Sequence, residues 1–131
     1  MVYKLNGRED ELTVNLSVRV FPRTFGYQGE MRYEFTQADD LVGVVSVCED
    51  ETSYFIHFLN VMPGNRGKGY GSKILKMLCQ MLHDKPITLE LDKGSPFGIE
   101  NLRAWYSRHG FVSTTEDLMI RQPPGSRKQE A

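Results

Sequence analysis

Cysteine is scarce in this chain: Cys48 and Cys79 are the only two in 131 residues, and neither sits in a CxxC pair or beside a histidine. At most one bridge can form, so a disulfide framework and a cysteine-paired zinc site are excluded. Two reduced thiols in apolar surroundings are expected, which favours a cytoplasmic protein. Histidine is equally sparse. His57, His83 and His109 are far apart and form no HExxH pattern, so no metal is expected. No apolar run approaches the roughly 18 residues of a membrane span, and the opening MVYKLNGRED carries no targeting pattern. A soluble, untargeted protein without membrane association is expected. Charge of one sign is not in excess either. Sixteen Lys and Arg against 17 Asp and Glu leave a formal net charge of -1, so no overall bias points to nucleic acid.

What is present is enough apolar material for one core: 40% hydrophobic residues in 15.0 kDa. One domain over residues 1–122 is expected, with a flexible tail of proline, glycine and charge over 123–131. Leu12, Val14, Leu16, Val18 and Val20 alternate with polar residues, the period of a half-buried strand that Phe21-Pro22 ends. Met31, Tyr33 and Phe35 mark a second strand over about Gln28 to Thr36. Ala38-Asp39-Asp40 reads as a tight turn, and Leu41 to Val47 as a third strand. Tyr54 to Val61 is apolar enough to be a fourth strand covered on both faces.

The period then becomes helical. Ile74, Leu75, Leu78 and Leu82 recur at three and four, widened by Met77 and Met81, until Pro86. Ile87 to Leu91 forms a short strand. Ser95-Pro96 offers a cap for a helix that starts there or at Asn101 and runs to about His109, where Gly110 ends it. Phe111 to Thr115 and Leu118 to Arg121 close the fold as two strands. The order β, β, β, β, α, β, α, β, β describes an α/β (α+β) domain: a mixed, mostly antiparallel central sheet with flanking helices.

The sharpest local feature joins the most apolar strand to the best amphipathic helix: Val61-Met62-Pro63-Gly64-Asn65-Arg66-Gly67-Lys68-Gly69-Tyr70-Gly71-Ser72. Glycines at a strand-to-helix turn let backbone N–H groups of the first helical turn approach an anion. It is not a P-loop, because Lys68 is followed by Gly69. Gly67, Gly69 and Gly71 also lack the spacing of a dinucleotide fingerprint, and the loop follows four strands instead of opening a βαβ unit.

Arg66-Gly67-Lys68-Gly69-Tyr70-Gly71, preceded by Val61-Met62-Pro63, resembles the R/Q-x-x-G-x-G/A pyrophosphate loop of the GNAT (GCN5-related N-acetyltransferase) superfamily. Tyr106, four residues before Gly110-Phe111, matches that family's late tyrosine helix, and the resemblance covers roughly Leu41 to Ile120. It implies acetyl-CoA as cofactor. The backbone from Arg66 to Ser72 would hold the pyrophosphate, and Leu59, Asn60 and Val61 would pair with the pantetheine arm. Arg66 and Lys68 either add charge-assisted contacts or face solvent. Tyr106 would be the general acid for the departing thiolate or, on the plainer reading, a packed aromatic. An asparagine seven residues before this tyrosine is usual in the family, whereas Asn101 precedes Tyr106 by five, so Asn101 either touches cofactor or caps the helix.

The base is left open by the sequence. An amine must lose a proton before it attacks, and the fourth strand carries no carboxylate there. His57 is a base or a core histidine; Glu90 is the leading carboxylate, with Asp92 on the same face of a regular strand. The interval from Phe21 to Tyr27 is too short for the helix pair that usually walls the acceptor pocket. Either an aromatic loop with Phe21, Phe25 and Tyr27 replaces it, or a second subunit does, as in a homodimer. The function implied is direct transfer of an acetyl group to a primary amine, on a small molecule, peptide or protein, without an acyl-enzyme. The alternative is an inactive CoA-binding or protein-interaction module. Arg66, Lys68, Lys73 and Lys76 form the one local patch that a nucleic acid could use, though direct nucleic-acid binding is not expected.

Overall fold

The computed structural model describes the backbone of residues 2–4 and, in full, residues 15–22 and 29–124. The expectations for Leu12 to Val14, Phe25, Tyr27 and the tail from residue 125 lie outside these residues. Eight strands form one sheet: β1 (Val2–Lys4), β2 (Asn15–Pro22), β3 (Glu30–Gln37), β4 (Asp40–Glu49), β5 (Tyr54–Val61), β6 (Ile87–Glu90), β7 (Val112–Ser113) and β8 (Leu118–Arg121). Helix α1 (Tyr70–Met81) joins β5 to β6, and α2 (Ile99–Ser107) joins β6 to β7. The strand order is β1-β2-β3-β4-β5-β6-β8-β7, antiparallel throughout except for the parallel pair β5 and β6. A parallel pair needs a crossover, and α1 is that crossover.

This is the expected mixed, mostly antiparallel sheet, with differences at the edges. β1 was not anticipated; it pairs with β2 through Val2↔Ser17. Phe21-Pro22 does not end β2 but completes it, pairing with Arg32 and Met31. β2 stops at Pro22 and β3 starts at Glu30, so this interval is indeed too short for two helices. The β3–β4 turn is Ala38-Asp39, with φ of 48° and 73°. That is the doubly left-handed geometry that lets a two-residue hairpin follow the twist of its strands.

The core lies between the sheet and α1. Phe35, Val45 and Val47 of the sheet are buried with Ile74, Leu75, Met77 and Leu78, the stripe the helical period marked. α1 sits close because β4 carries Gly43 beneath it: a Cβ there would lie 2.6 Å from Ile74 Cδ1. β5 departs from expectation. Tyr54 and Ile56 are buried, but His57, Phe58 and Asn60 are exposed, because pairing with β6 ends at Ile56↔Leu89. Beyond that pair β5 and β6 splay apart. On the other edge of β5, Ser46 pairs with Phe58 and Val47 with Ile56, leaving His57 as the extra residue of a β-bulge.

Candidate active site

The splay between β5 and β6 opens a cleft of about 810 Å³, floored by Ile56 to Val61, closed at one end by the 61–72 loop and roofed by α2. Unpaired along this edge, the end of β5 offers alternate peptide N–H and C=O groups to an extended ligand that carries amides. Leu59, Asn60 and Val61 all line it.

The loop is shaped for an anion. Gly67 and Gly69 have φ of 77° and 84°, and Gly69 is the N-cap of α1 with no side-chain cap. A side-chain cap would otherwise take one of the first-turn donors; here the N–H groups of Tyr70, Gly71 and Ser72 are left for a ligand. A Cβ on Gly67 or Gly69 would meet no protein atom within 4 Å, so these positions are glycine for backbone conformation and for access. Gly71 is packed, its Cβ position 3.6 Å from Trp105 Cζ2.

The loop's side chains behave differently from its backbone. Arg66 does not point at the cleft as a free cation: its Nε donates to the Val61 carbonyl at 2.8 Å and its Nη2 to Asn60 Oδ1 at 3.1 Å. It braces the loop against the end of β5. Lys68 is exposed and is absent from the cleft wall. The Tyr70 ring is buried, and its hydroxyl donates to Gln37 Oε1 at 2.6 Å. Ser72 Oγ accepts a hydrogen bond from Trp105 Nε1 at 2.8 Å, tying α2 to the first turn of α1. What these residues present to a ligand is main chain. Lys73 is buried in α1, which breaks the surface patch of Arg66, Lys68, Lys73 and Lys76.

Tyr106 stands in the roof, its ring 4.8 Å from Trp105 and 5.5 Å from Phe111, edge-on to the latter. Burial pushes its pKa up to about 12. Its hydroxyl therefore stays protonated and, bonded to no other described residue, is a free donor aimed from a helix that the Trp105–Ser72 bond holds in place. Asn101 also lines the cleft, but its Nδ2 donates to the Phe97 carbonyl at 2.7 Å. Its oxygen and its second N–H remain for another partner.

The bulge brings His57 into the cleft wall, and behind it lies a residue the sequence reading did not single out. Glu30, on β3, is buried, with a side chain 3% exposed against 40% for His57. Its Oε2 accepts from Ser46 Oγ and lies 3.4 Å from His57 Nδ1. This is a carboxylate, imidazole and cleft arrangement that orients a base. Nothing local marks Glu30, which is 27 positions from His57; its only signal is a charge in the alternating pattern of β3. Glu90 and Asp92 reach the same cleft from the end of β6. Asp92 Oδ1 accepts from the Gly94 N–H at 2.9 Å, a turn role. Neither cysteine is in a disulfide. Cys48 is held above its usual pKa, first by burial and then by the charge of Glu30, the opposite of an activated nucleophile. Among the described residues no group of three or more His, Cys, Asp or Glu is placed to hold a metal. No helix among them is long and apolar enough to cross a membrane.

Residues 32–113 match the family model of the acetyltransferase (GNAT) domain. Solved structures share the fold. A GNAT-family acetyltransferase from Elizabethkingia anophelis with acetyl-CoA bound is 10% identical, with a TM-score of 0.64 over 82% of this chain and 97% of that one. The ribosomal-protein-S18-alanine N-acetyltransferase of Escherichia coli is 15% identical, with a TM-score of 0.62 over 74% and 71%. A GNAT-family protein from Bacteroides thetaiotaomicron is 22% identical, with a TM-score of 0.58 over 78% and 66%. No curated protein sequence matches the chain significantly. With 82 of its 131 residues inside the family model, and with an uncapped glycine loop and a late tyrosine facing one splayed cleft, the chain belongs to the GNAT acetyltransferase family.

Proposed function

We propose that the protein transfers an acetyl group from acetyl-CoA directly to a primary amine. The observation that carries this reading is the uncapped first turn of α1 at the mouth of the β5–β6 splay. There, one anion-binding crown and one unpaired strand edge are continuous, the footprint of a diphosphate with an amide-bearing arm. Acetyl-CoA supplies the activated thioester. The loop backbone binds the diphosphate, the end of β5 orients the arm, and α2 with Trp105 and Tyr106 limits access of water from above.

In the reaction the amine nitrogen forms a bond to the acetyl carbon and the carbon–sulfur bond breaks. His57, oriented through Nδ1 by Glu30, takes the proton the amine loses. Tyr106 supplies the proton the sulfur gains, and neither cysteine is needed. Glu90, at the open end of β6, is placed to meet the cationic form of an arriving amine. The short interval between Pro22 and Glu30 and the exposed Phe21 and Phe58, 41% and 40% accessible, leave room for a peptide or protein amine. A cytoplasmic location and a wall completed by a second subunit belong to the same proposal.

The test is isothermal titration of acetyl-CoA against the wild type, Gly69→Asp and Gly69→Asn. Both substituents tolerate a left-handed backbone and have the same shape, so any difference between them is the carboxylate charge facing the diphosphate. Wild-type binding with the Asp variant roughly tenfold or more weaker than the Asn variant supports the loop assignment. Equal affinities, or no binding by the wild type, overturn it.

A further inference from the structure

A second cavity, of about 390 Å³, shares no lining residue with the cleft. Lys76 and His83 come from the second half of α1 and the turn after it, Arg108 and His109 from the end of α2, and Arg121 from the end of β8. Among the described residues no carboxylate lines it, and Lys76, Arg108 and Arg121 form no ion pair with any of them. The formal net charge of the whole chain is -1, so this convergence is not the by-product of a basic protein. Arg121 Nε donates to the His109 carbonyl at 2.9 Å, which leaves its other N–H groups directed elsewhere. His109 is half-buried, and its pKa is held below the usual value by burial and then by Lys76, Arg108 and Arg121. Asp84 interacts with His83 but does not line the cavity.

Three cations with no counter-charge among the described residues repel each other around one pocket, and a doubly charged oxyanion relieves that repulsion. We propose that this cavity is a second anion site, separate from the phosphate loop, that takes a small molecule bearing a phosphate or diphosphate group. It is coupled to the cleft. The His109 ring lies edge-on to Trp105 with centroids 5.5 Å apart, and Trp105 in turn holds Ser72 at the first turn of α1. An anion beside His109 favours imidazolium against the indole whose N–H secures that turn.

The test follows the His109 imidazole by NMR pH titration, with fluorescence of Trp105, the only tryptophan, as a second signal. Sodium pyrophosphate should raise the His109 pKa by roughly half a unit or more. The double variant Lys76→Glu, Arg108→Glu changes two exposed side chains; it should begin with a raised value and show no further response. Lys76→Gln, Arg108→Gln should lose the response without adding negative charge. Gly69→Asp, which blocks the phosphate loop, should leave it intact. The proposal fails if sodium chloride at matched ionic strength gives the same shift, which is screening alone. It also fails if the response survives in the Lys76 and Arg108 variants, or disappears in Gly69→Asp.

Discussion

Gly43 is where the placement of the phosphate loop can be tested as packing. A Cβ at this position would lie 2.6 Å from Ile74 Cδ1 and 3.1 Å from the Asn60 carbonyl. Ile74 is fully buried, so its terminal methyl can move only by displacing the core around it, and Gly43→Ala strains the contact between α1 and β4. Overpacking of this kind costs about 1–3 kcal/mol. The reduced entropy of the unfolded chain returns about 0.4–1 kcal/mol. The net loss is about 1–2 kcal/mol, a fall in Tm of roughly 4–10 °C for a chain of this size. Ile74→Val removes the clashing atom and by itself costs about 0.5–1.5 kcal/mol. In that background Gly43→Ala should be nearly neutral, a coupling of about 1 kcal/mol. Denaturant unfolding of the four proteins measures the cycle. Additive effects would refute the argument that glycine at 43 exists to admit Ile74 and, through it, the first turn of α1.

Tyr106→Phe keeps the ring contacts with Trp105 and Phe111. It should lower kcat by about 10²-fold or more with little change in KM for acetyl-CoA; an unchanged kcat removes it as the acid. Because its pKa is pushed up to about 12, its proton is lost only as pH climbs towards that value. Through neutral and mildly alkaline pH the rate should show no decline from this group. Glu30→Gln preserves shape but removes the charge behind His57. It should reduce kcat roughly tenfold or more while acetyl-CoA affinity measured by titration stays the same, whereas equal losses in both would indicate a structural role only. Asp84 accepts a 2.6 Å hydrogen bond from the Tyr54 hydroxyl, which, as the first cause, holds its carboxyl below the ordinary 3.8. A depressed folded-state pKa stabilises above the unfolded value and is lost as pH falls through the folded one. The stability gap between wild type and Asp84→Asn should therefore be present at neutral pH and shrink below 3.8; a constant gap would contradict the linkage.

The elements legible in the sequence were those whose signal is local. The α1 stripe from Ile74 to Leu82 follows the helical period, and the glycines at 67 and 69 mark a turn where the backbone is open to approach, both with positive φ in the structure. Gly110 ends α2 with φ of 89° as a left-handed residue should. The succession of elements along the chain was readable because most strands alternate or run apolar within their own few residues. Tyr106 was visible by its spacing from Gly110 and Phe111.

Tertiary structure decided everything that depends on which strand lies beside which. Only the end of β5–β6 pairing at Ile56↔Leu89 and the bulge at His57 turn an apolar strand into a cleft wall. Only the neighbouring registers of β3, β4 and β5 bring Glu30 and Ser46 to His57. The turning of Arg66 onto Val61 and Asn60, the burial of Lys73 and Tyr70, and the gathering of Lys76, Arg108 and Arg121 also depend on distant partners. Periodicity reports which face of an element is apolar; it carries no information about which polar groups, far apart in sequence, share a pocket once those faces are buried.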